Sequence, residues 1–148
     1  STLKFFRMRF LILGVLAIVM VGCKEEEPQP PPQTGKLTSI DLYHGTVTLG
    51  PREYFWIKFE AKDGDTLYYE ARVKTGDGDI SYAFWTDSAN YEKWRNGQSA
   101  QLNDYVEAVP SVSFSPSLAG GVYYAVVGNS SYVSSKTVWI RSYLRGWR

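Results

Sequence analysis

From Glu53 to Lys62 the chain alternates, with Phe55, Ile57, Phe59 and Ala61 on one side and Tyr54, Trp56, Lys58 and Lys62 on the other. This period of two marks a strand with one buried face. Asp63-Gly64-Asp65 turns the chain, and Thr66 to Lys74 returns with Leu67, Tyr69, Ala71 and Val73 inward, which together predict a β-hairpin. A second Gly/Asp turn, Thr75 to Asp79, leads into a third strand over Ile80 to Thr86. Ser88 to Gly97 carries the one helical pattern: Asp87 or Ser88 can cap it, Tyr91 and Trp94 share a face, and Gly97 can end it in the left-handed region. Tyr43 to Leu49, Asp104 to Val109, Val112 to Phe114, Val122 to Val127 and Lys136 to Leu144 complete a set of short strands, with Pro110 marking an edge or a bend. Seven or eight short strands separated by turns predict an all-β fold, an antiparallel β-sandwich with one short helix.

Upstream the pattern changes. Phe10 to Cys23 is an unbroken apolar run, with Lys4, Arg7 and Arg9 before it and Lys24, Glu25, Glu26 and Glu27 after it. As a helix it would reach roughly 21 Å, short of a hydrocarbon core of about 30 Å, so it suits the apolar region of a signal peptide. Met20-Val21-Gly22-Cys23 resembles the lipobox of prokaryotic lipoproteins, and the chain's sole cysteine stands at its end. The resemblance implies that Cys23 is lipidated and becomes the mature N-terminus at the outer side of a membrane; an uncleaved signal anchor is the alternative. Lys24 to Lys36, KEEEPQPPPQTGK, is an extended proline-rich tether that can reach roughly 40 Å. The expected organisation is therefore a signal segment over 1–23, a linker over 24–36 and a β-sandwich domain over 37–148.

Composition narrows the function classes. Without Ser1 to Gly22 the chain has thirteen basic and fifteen acidic residues, a net charge near −2, which implies no general affinity for nucleic acid. With a single cysteine no disulfide can form within the chain, so the core must supply the stability. Aromatic residues make up 16% of the chain, which favours strands.

Gly121-Val122-Tyr123-Tyr124-Ala125-Val126-Val127-Gly128-Asn129-Ser130-Ser131, followed by Ser135-Lys136-Thr137-Val138, resembles the closing hairpin of GOLD domains. Prepeptidase-type β-sandwiches of secreted bacterial proteins have a similar Gly-x-Tyr-Tyr strand. The resemblance implies a non-catalytic β-sandwich that makes protein contacts beside a membrane.

Little in the sequence points to catalysis. His44 is the only histidine, no G-x-S-x-G is present, and the acids fall mostly in turns. No catalytic residue and no cofactor is expected. Asp63, Asp65, Asp77 and Asp79 supply hard oxygen ligands of the kind Ca²⁺ uses, but Asp-Gly is also ordinary turn chemistry and the EF-hand spacing is not met. The aromatic surplus is the better lead. Tyr54, Trp56, Tyr82, Tyr91 and Trp94 are candidates for a ligand surface, weighed against a second small cluster beneath the helix. Arg141, Arg145, Trp147 and Arg148 read either as a frayed tail or as a group that grazes lipid or a partner.

The leading expectation is a lipid-anchored, extracytoplasmic module of the cell envelope that binds a protein partner. The alternative is a carbohydrate-binding lipoprotein that uses exposed aromatics.

Overall fold

The computed structural model describes residues 35–148; the signal segment with Cys23 and nearly all of the tether lie outside the described residues. Eight strands and one helix follow in the order β1 (Leu37–Leu49), β2 (Tyr54–Ala61), β3 (Thr66–Val73), β4 (Ile80–Asp87), α1 (Ser88–Arg95), β5 (Asn103–Val109), β6 (Ser111–Phe114), β7 (Gly121–Gly128) and β8 (Lys136–Trp147). They form two four-stranded sheets with the orders β1-β8-β3-β6 and β2-β7-β4-β5. The antiparallel pairs nest: β4 lies with β5, β3 with β6, β2 with β7 and β1 with β8. Nested pairs that alternate between two sheets make a jelly roll, and the expected antiparallel sandwich is present.

The alternation of β2 is buried as the sequence predicts, with Ile57, Phe59 and Ala61 in the core. Its partner is not β3, however. β2 pairs with β7, whereas β3 pairs with β8 and β6, so the Asp63-Gly64-Asp65 turn carries the chain across the core from one sheet to the other. The expected hairpin is therefore an arch. Leu67, Tyr69 and Ala71 meet Ile57 and Phe59 from the facing layer, which buries both apolar rows at once. β7 and β8 likewise belong to different sheets and do not form a closing hairpin. β1 begins at Leu37 rather than Tyr43, because its ladder with β8 runs from Leu37 opposite Trp147 to Leu49 opposite Lys136.

Pro110 stands between β5 and β6, where the chain leaves an edge of one sheet for an edge of the other. It has no N–H that a ladder would require. The helix matches its sequence signals: Asp87 accepts the Asn90 N–H at 2.8 Å and Asn96 closes the last turn. α1 lies on the outer side of the β2-β7-β4-β5 sheet and covers a second apolar cluster of Phe84, Tyr91, Tyr124 and Val126.

β8 runs to Trp147 and so is not a frayed tail. Arg148 sends both guanidinium nitrogens to Asp65, at 2.7 and 2.9 Å. The carboxylate fits because Gly146 has no side chain: a Cβ there would lie 1.8 Å from an Asp65 oxygen.

Candidate functional site

The outer side of the helix-covered sheet is where the aromatic candidates gather. Alternation turns Tyr54 and Trp56 of β2, Tyr82 and Phe84 of β4, and Tyr124 and Val126 of β7 away from the main core. α1 then brings Tyr91 and Trp94 down onto them. Tyr91 stacks flat on Tyr124, with ring centroids 3.7 Å apart and planes 4° apart, and only 3% of its surface is exposed. Its hydroxyl lies 3.3 Å from that of Tyr54. Burial first, and this hydrogen bond second, push the Tyr91 hydroxyl well above the usual phenol range. Tyr91 is thus part of the cluster beneath the helix and presents no ligand surface.

Tyr54, Tyr82 and Trp94 come together differently. They line a cleft of about 310 Å³ with Arg52, Arg95, Asn129 and Ser130, a volume at the lower end of small-ligand sites. Trp94 meets Tyr54 at 5.0 Å and 78°, and Tyr82 at 5.9 Å and 61°, so the rings form angled walls rather than a flat platform. Tyr82 can lie across β7 only because Gly128 is opposite it; a Cβ there would sit 2.1 Å from the ring. Burial raises the Tyr82 hydroxyl above the ordinary phenol range; like any phenol it is a hydrogen-bond donor at neutral pH. Trp56, about half exposed, lies on the same sheet beside Tyr124 but outside this cleft.

The polar rim comes from two loops and the helix end. Gly50 to Glu53 closes a turn through Glu53 N–H to the Gly50 carbonyl at 3.1 Å. Arg52 occupies its third position with φ 65°, a conformation usually given to glycine or asparagine. Its guanidinium lies 4.4 Å from the Tyr132 ring centroid. Asn129 is buried and donates to the carbonyls of Leu49, Gly50 and Ser134 at 3.1, 3.0 and 2.8 Å, tying the β7–β8 loop to the β1–β2 turn. Arg95 is held by Glu92 at 2.7 Å. Asn129 and Ser130 lie in the Gly121 to Ser131 motif, but neither they nor Arg52 and Arg95 were singled out as site residues. Nothing local to Arg52 shows which aromatics it would face.

Three of the four aspartates serve as turn fasteners, and the fourth, Asp79, offers only its backbone carbonyl, to Lys136. Asp63 accepts the Gly120 N–H at 2.6 Å, Asp77 the Thr137 N–H at 2.8 Å, and Asp65 the Lys62 N–H at 2.8 Å in addition to Arg148. The Asp63/Asp65 and Asp77/Asp79 turns lie at opposite ends of β3, roughly 24 Å apart by strand rise. Among the described residues no group of three or more His, Cys, Asp or Glu converges on one point, and no helix is long and apolar enough to cross a membrane.

No family model matches the chain and no curated protein matches it. Among solved structures it is similar to a mutant of CBM29-2, a family 29 carbohydrate binding module, at 8% identity over 74% of this chain and 91% of that one, with a TM-score of 0.36. It is also similar to the carbohydrate binding module CBM6cm-2 from Cellvibrio mixtus lichenase 5A, in complex with cellotriose, at 10% identity over 71% and 95%, TM-score 0.34. A third is the CBM36-1 domain of a multidomain xylanase from the hindgut metagenome of Trinervitermes trinervoides, at 9% identity over 76% and 98%, TM-score 0.34.

Proposed function

We propose that the protein is a non-catalytic carbohydrate-binding module, held at the outer face of the cell envelope by a lipid on Cys23, and that the Tyr54/Tyr82/Trp94 cleft takes the sugar. The cleft carries this reading. Three aromatic rings offer apolar walls for the C–H faces of a sugar, and Tyr82, Ser130 and two guanidiniums stand around them as hydrogen-bonding groups. Its small volume and angled walls suit a chain end or a short oligosaccharide better than a long run of polymer. Arg52 adds support, since strained backbone that delivers a side chain to a cleft is the pattern of a functional position.

The test uses that strain. In the full-length protein, Arg52→Gly relaxes the turn and leaves stability unchanged or raised by up to about 1 kcal/mol. It weakens oligosaccharide binding by about tenfold in calorimetric titration against a panel of neutral sugars. Trp94→Ala abolishes that binding. A panel in which nothing binds, or an Arg52→Gly protein with full affinity, refutes the cleft. Intact mass checks the anchor: a mature chain that begins at acylated Cys23 supports it, and a retained leader with a free thiol does not.

A protein partner is the second reading, favoured by the edge strand β1. Leu37 and Trp147 face each other at its start and are 47% and 49% exposed. If the envelope-extracted protein co-purifies with one partner and Leu37→Asp releases it, this reading displaces the sugar.

A further inference from the structure

The opposite side of the sandwich has a different character. Along β8 the residues pointing away from the core are Trp139, Arg141, Tyr143, Arg145 and Trp147, an alternation of ring and guanidinium. β3 sets Arg72 opposite Trp139, Glu70 opposite Arg141 and Tyr68 opposite Tyr143. β1 adds Asp41 beside Tyr143 and His44 beside Arg141. Between residues 35 and 148 basic and acidic side chains are equal in number, so a face that carries Arg72, Arg141 and Arg145 against Glu70 and Asp41 is a local excess of positive charge on a neutral domain.

We propose that this face binds a linear polysaccharide bearing carboxylates, a ligand and a surface distinct from those of the cleft. The guanidiniums are preorganised: Arg72 lies 4.2 Å from the Trp139 ring centroid and Arg141 lies 5.1 Å from that of Tyr143. Contact with a ring restricts each side chain, and a guanidinium so restricted offers a planar fork of N–H groups of the kind that grips a carboxylate. Among the described residues neither Arg141 nor Arg145 has a carboxylate within ion-pair distance; Arg72 reaches Glu70 at 3.4 Å. Arg141 and Arg145 are separated by about 13–14 Å along the strand, and Arg72 lies diagonal to Arg141 at about 7–8 Å, so the charges form a line rather than a cluster.

The rings select against other polyanions. Tyr68 and Tyr143 stack on each other at 4.8 Å and 13°, and Arg72 covers one face of Trp139, so only Trp147, half exposed at the end of the stripe, is left to offer a broad face to a nucleic-acid base. Also outward are tyrosine hydroxyls, guanidinium forks and the acceptors Glu70 and Asp41. A polysaccharide answers both signs, since its carboxylates meet the arginines and its hydroxyls donate to the acids. Phosphate-faced partners, whether single-stranded DNA or a lipid bilayer, present acceptors that the two acids repel. The right-handed twist of the sheet also limits its contact with a plane, whereas a chain can follow the stripe.

The experiment titrates full-length protein with polygalacturonate, with the same polymer fully methyl-esterified, with oligo(dT) and with vesicles containing phosphatidylglycerol. Polygalacturonate should bind, more weakly as salt rises, while the ester and the DNA bind at least tenfold more weakly; the lipid on Cys23 holds the protein to vesicles whatever this face does, so there the expected result is that wild type and the arginine variants bind alike. Arg141→Gln with Arg145→Gln should lower the affinity for polygalacturonate by about a hundredfold without changing the melting temperature, since both side chains are exposed. Arg141→Lys should fall between, having charge without a fork. Trp94→Ala should leave polygalacturonate binding intact, which separates this surface from the cleft. The proposal is overturned if polygalacturonate does not bind, if DNA binds as tightly, if the double variant weakens vesicle binding as much as polygalacturonate binding, or if it keeps wild-type affinity for polygalacturonate.

Discussion

Replacing Arg148 by alanine strands a buried carboxylate. Asp65 is 1% exposed and Arg148 19%, and the guanidinium supplies two of the three hydrogen bonds the carboxylate receives, the third coming from Lys62 N–H. Removing one member of a buried ion pair costs about 3–5 kcal/mol. Because Arg148 keeps some solvent and the Lys62 bond survives, we expect the low end, about 3 kcal/mol, or roughly a 12 °C drop in melting temperature for a domain of this size. Asp65→Asn keeps an acceptor for Lys62 and should cost about 1–2 kcal/mol, so a double-mutant cycle should return a coupling of about 2 kcal/mol.

The pH dependence adds a signed test. The Arg148 hydrogen bond is the main reason the Asp65 carboxyl lies below its ordinary range, and burial opposes it. A carboxyl lowered on folding contributes stability that is fully present above the unfolded value near 4 and fades as pH falls through the folded one. The stability gap between wild type and Arg148→Ala should therefore be widest above about pH 5 and narrow below about pH 4. Urea unfolding at a series of pH values measures it. A coupling under about 0.5 kcal/mol, or a gap that does not change with pH, would refute the reasoning.

Other predictions follow from single contacts. Tyr69 is buried with its hydroxyl unpartnered among the described groups, so Tyr69→Phe should leave stability unchanged or raise it by about 1 kcal/mol in denaturant unfolding. Gly128→Ala places a methyl group inside the Tyr82 ring; it should cost about 1–3 kcal/mol and displace the ring, seen as a changed Tyr82 environment by NMR and lost cleft binding. Asn129→Ala should cost about 2–3 kcal/mol and speed proteolysis of the β7–β8 loop, since three carbonyls lose their donor together.

What was legible in the sequence was local. The alternation of Phe55, Ile57 and Phe59, the capping of α1 by Asp87 and the break at Pro110 each reflect interactions within a few residues, and each is found in the fold. Pairing was not legible. A Gly-Asp turn says that the chain reverses, but a hairpin and an arch need the same reversal. The choice between them depends on whether the rows of Ile57 and Leu67 are to share a face or oppose one another, and the distant strands β7 and β8 decide it. The same limit hid the cleft. Tyr54, Tyr82 and Trp94 could be singled out as surplus aromatics, but Arg52 and Asn129 join them only through β2–β7 pairing. The Arg141/Tyr143/Arg145 alternation was in plain view. It ran from the predicted Lys136 to Leu144 strand into a segment with two readings, and it became a surface once β8 was seen as a central strand flanked by β1 and β3.

The β1–β8 ladder also has a mechanical consequence. Lys36 and Arg148 exchange backbone hydrogen bonds at 2.9 Å, so both extremities of the sandwich emerge side by side at one corner. Tension applied between these two points pulls across the strands, along the direction of their hydrogen bonds, and loads the rungs one after another. The head would peel open like a zipper at low force, whereas tension entering at Lys36 and leaving through a ligand on the far sheet would be borne by the packed core between the layers.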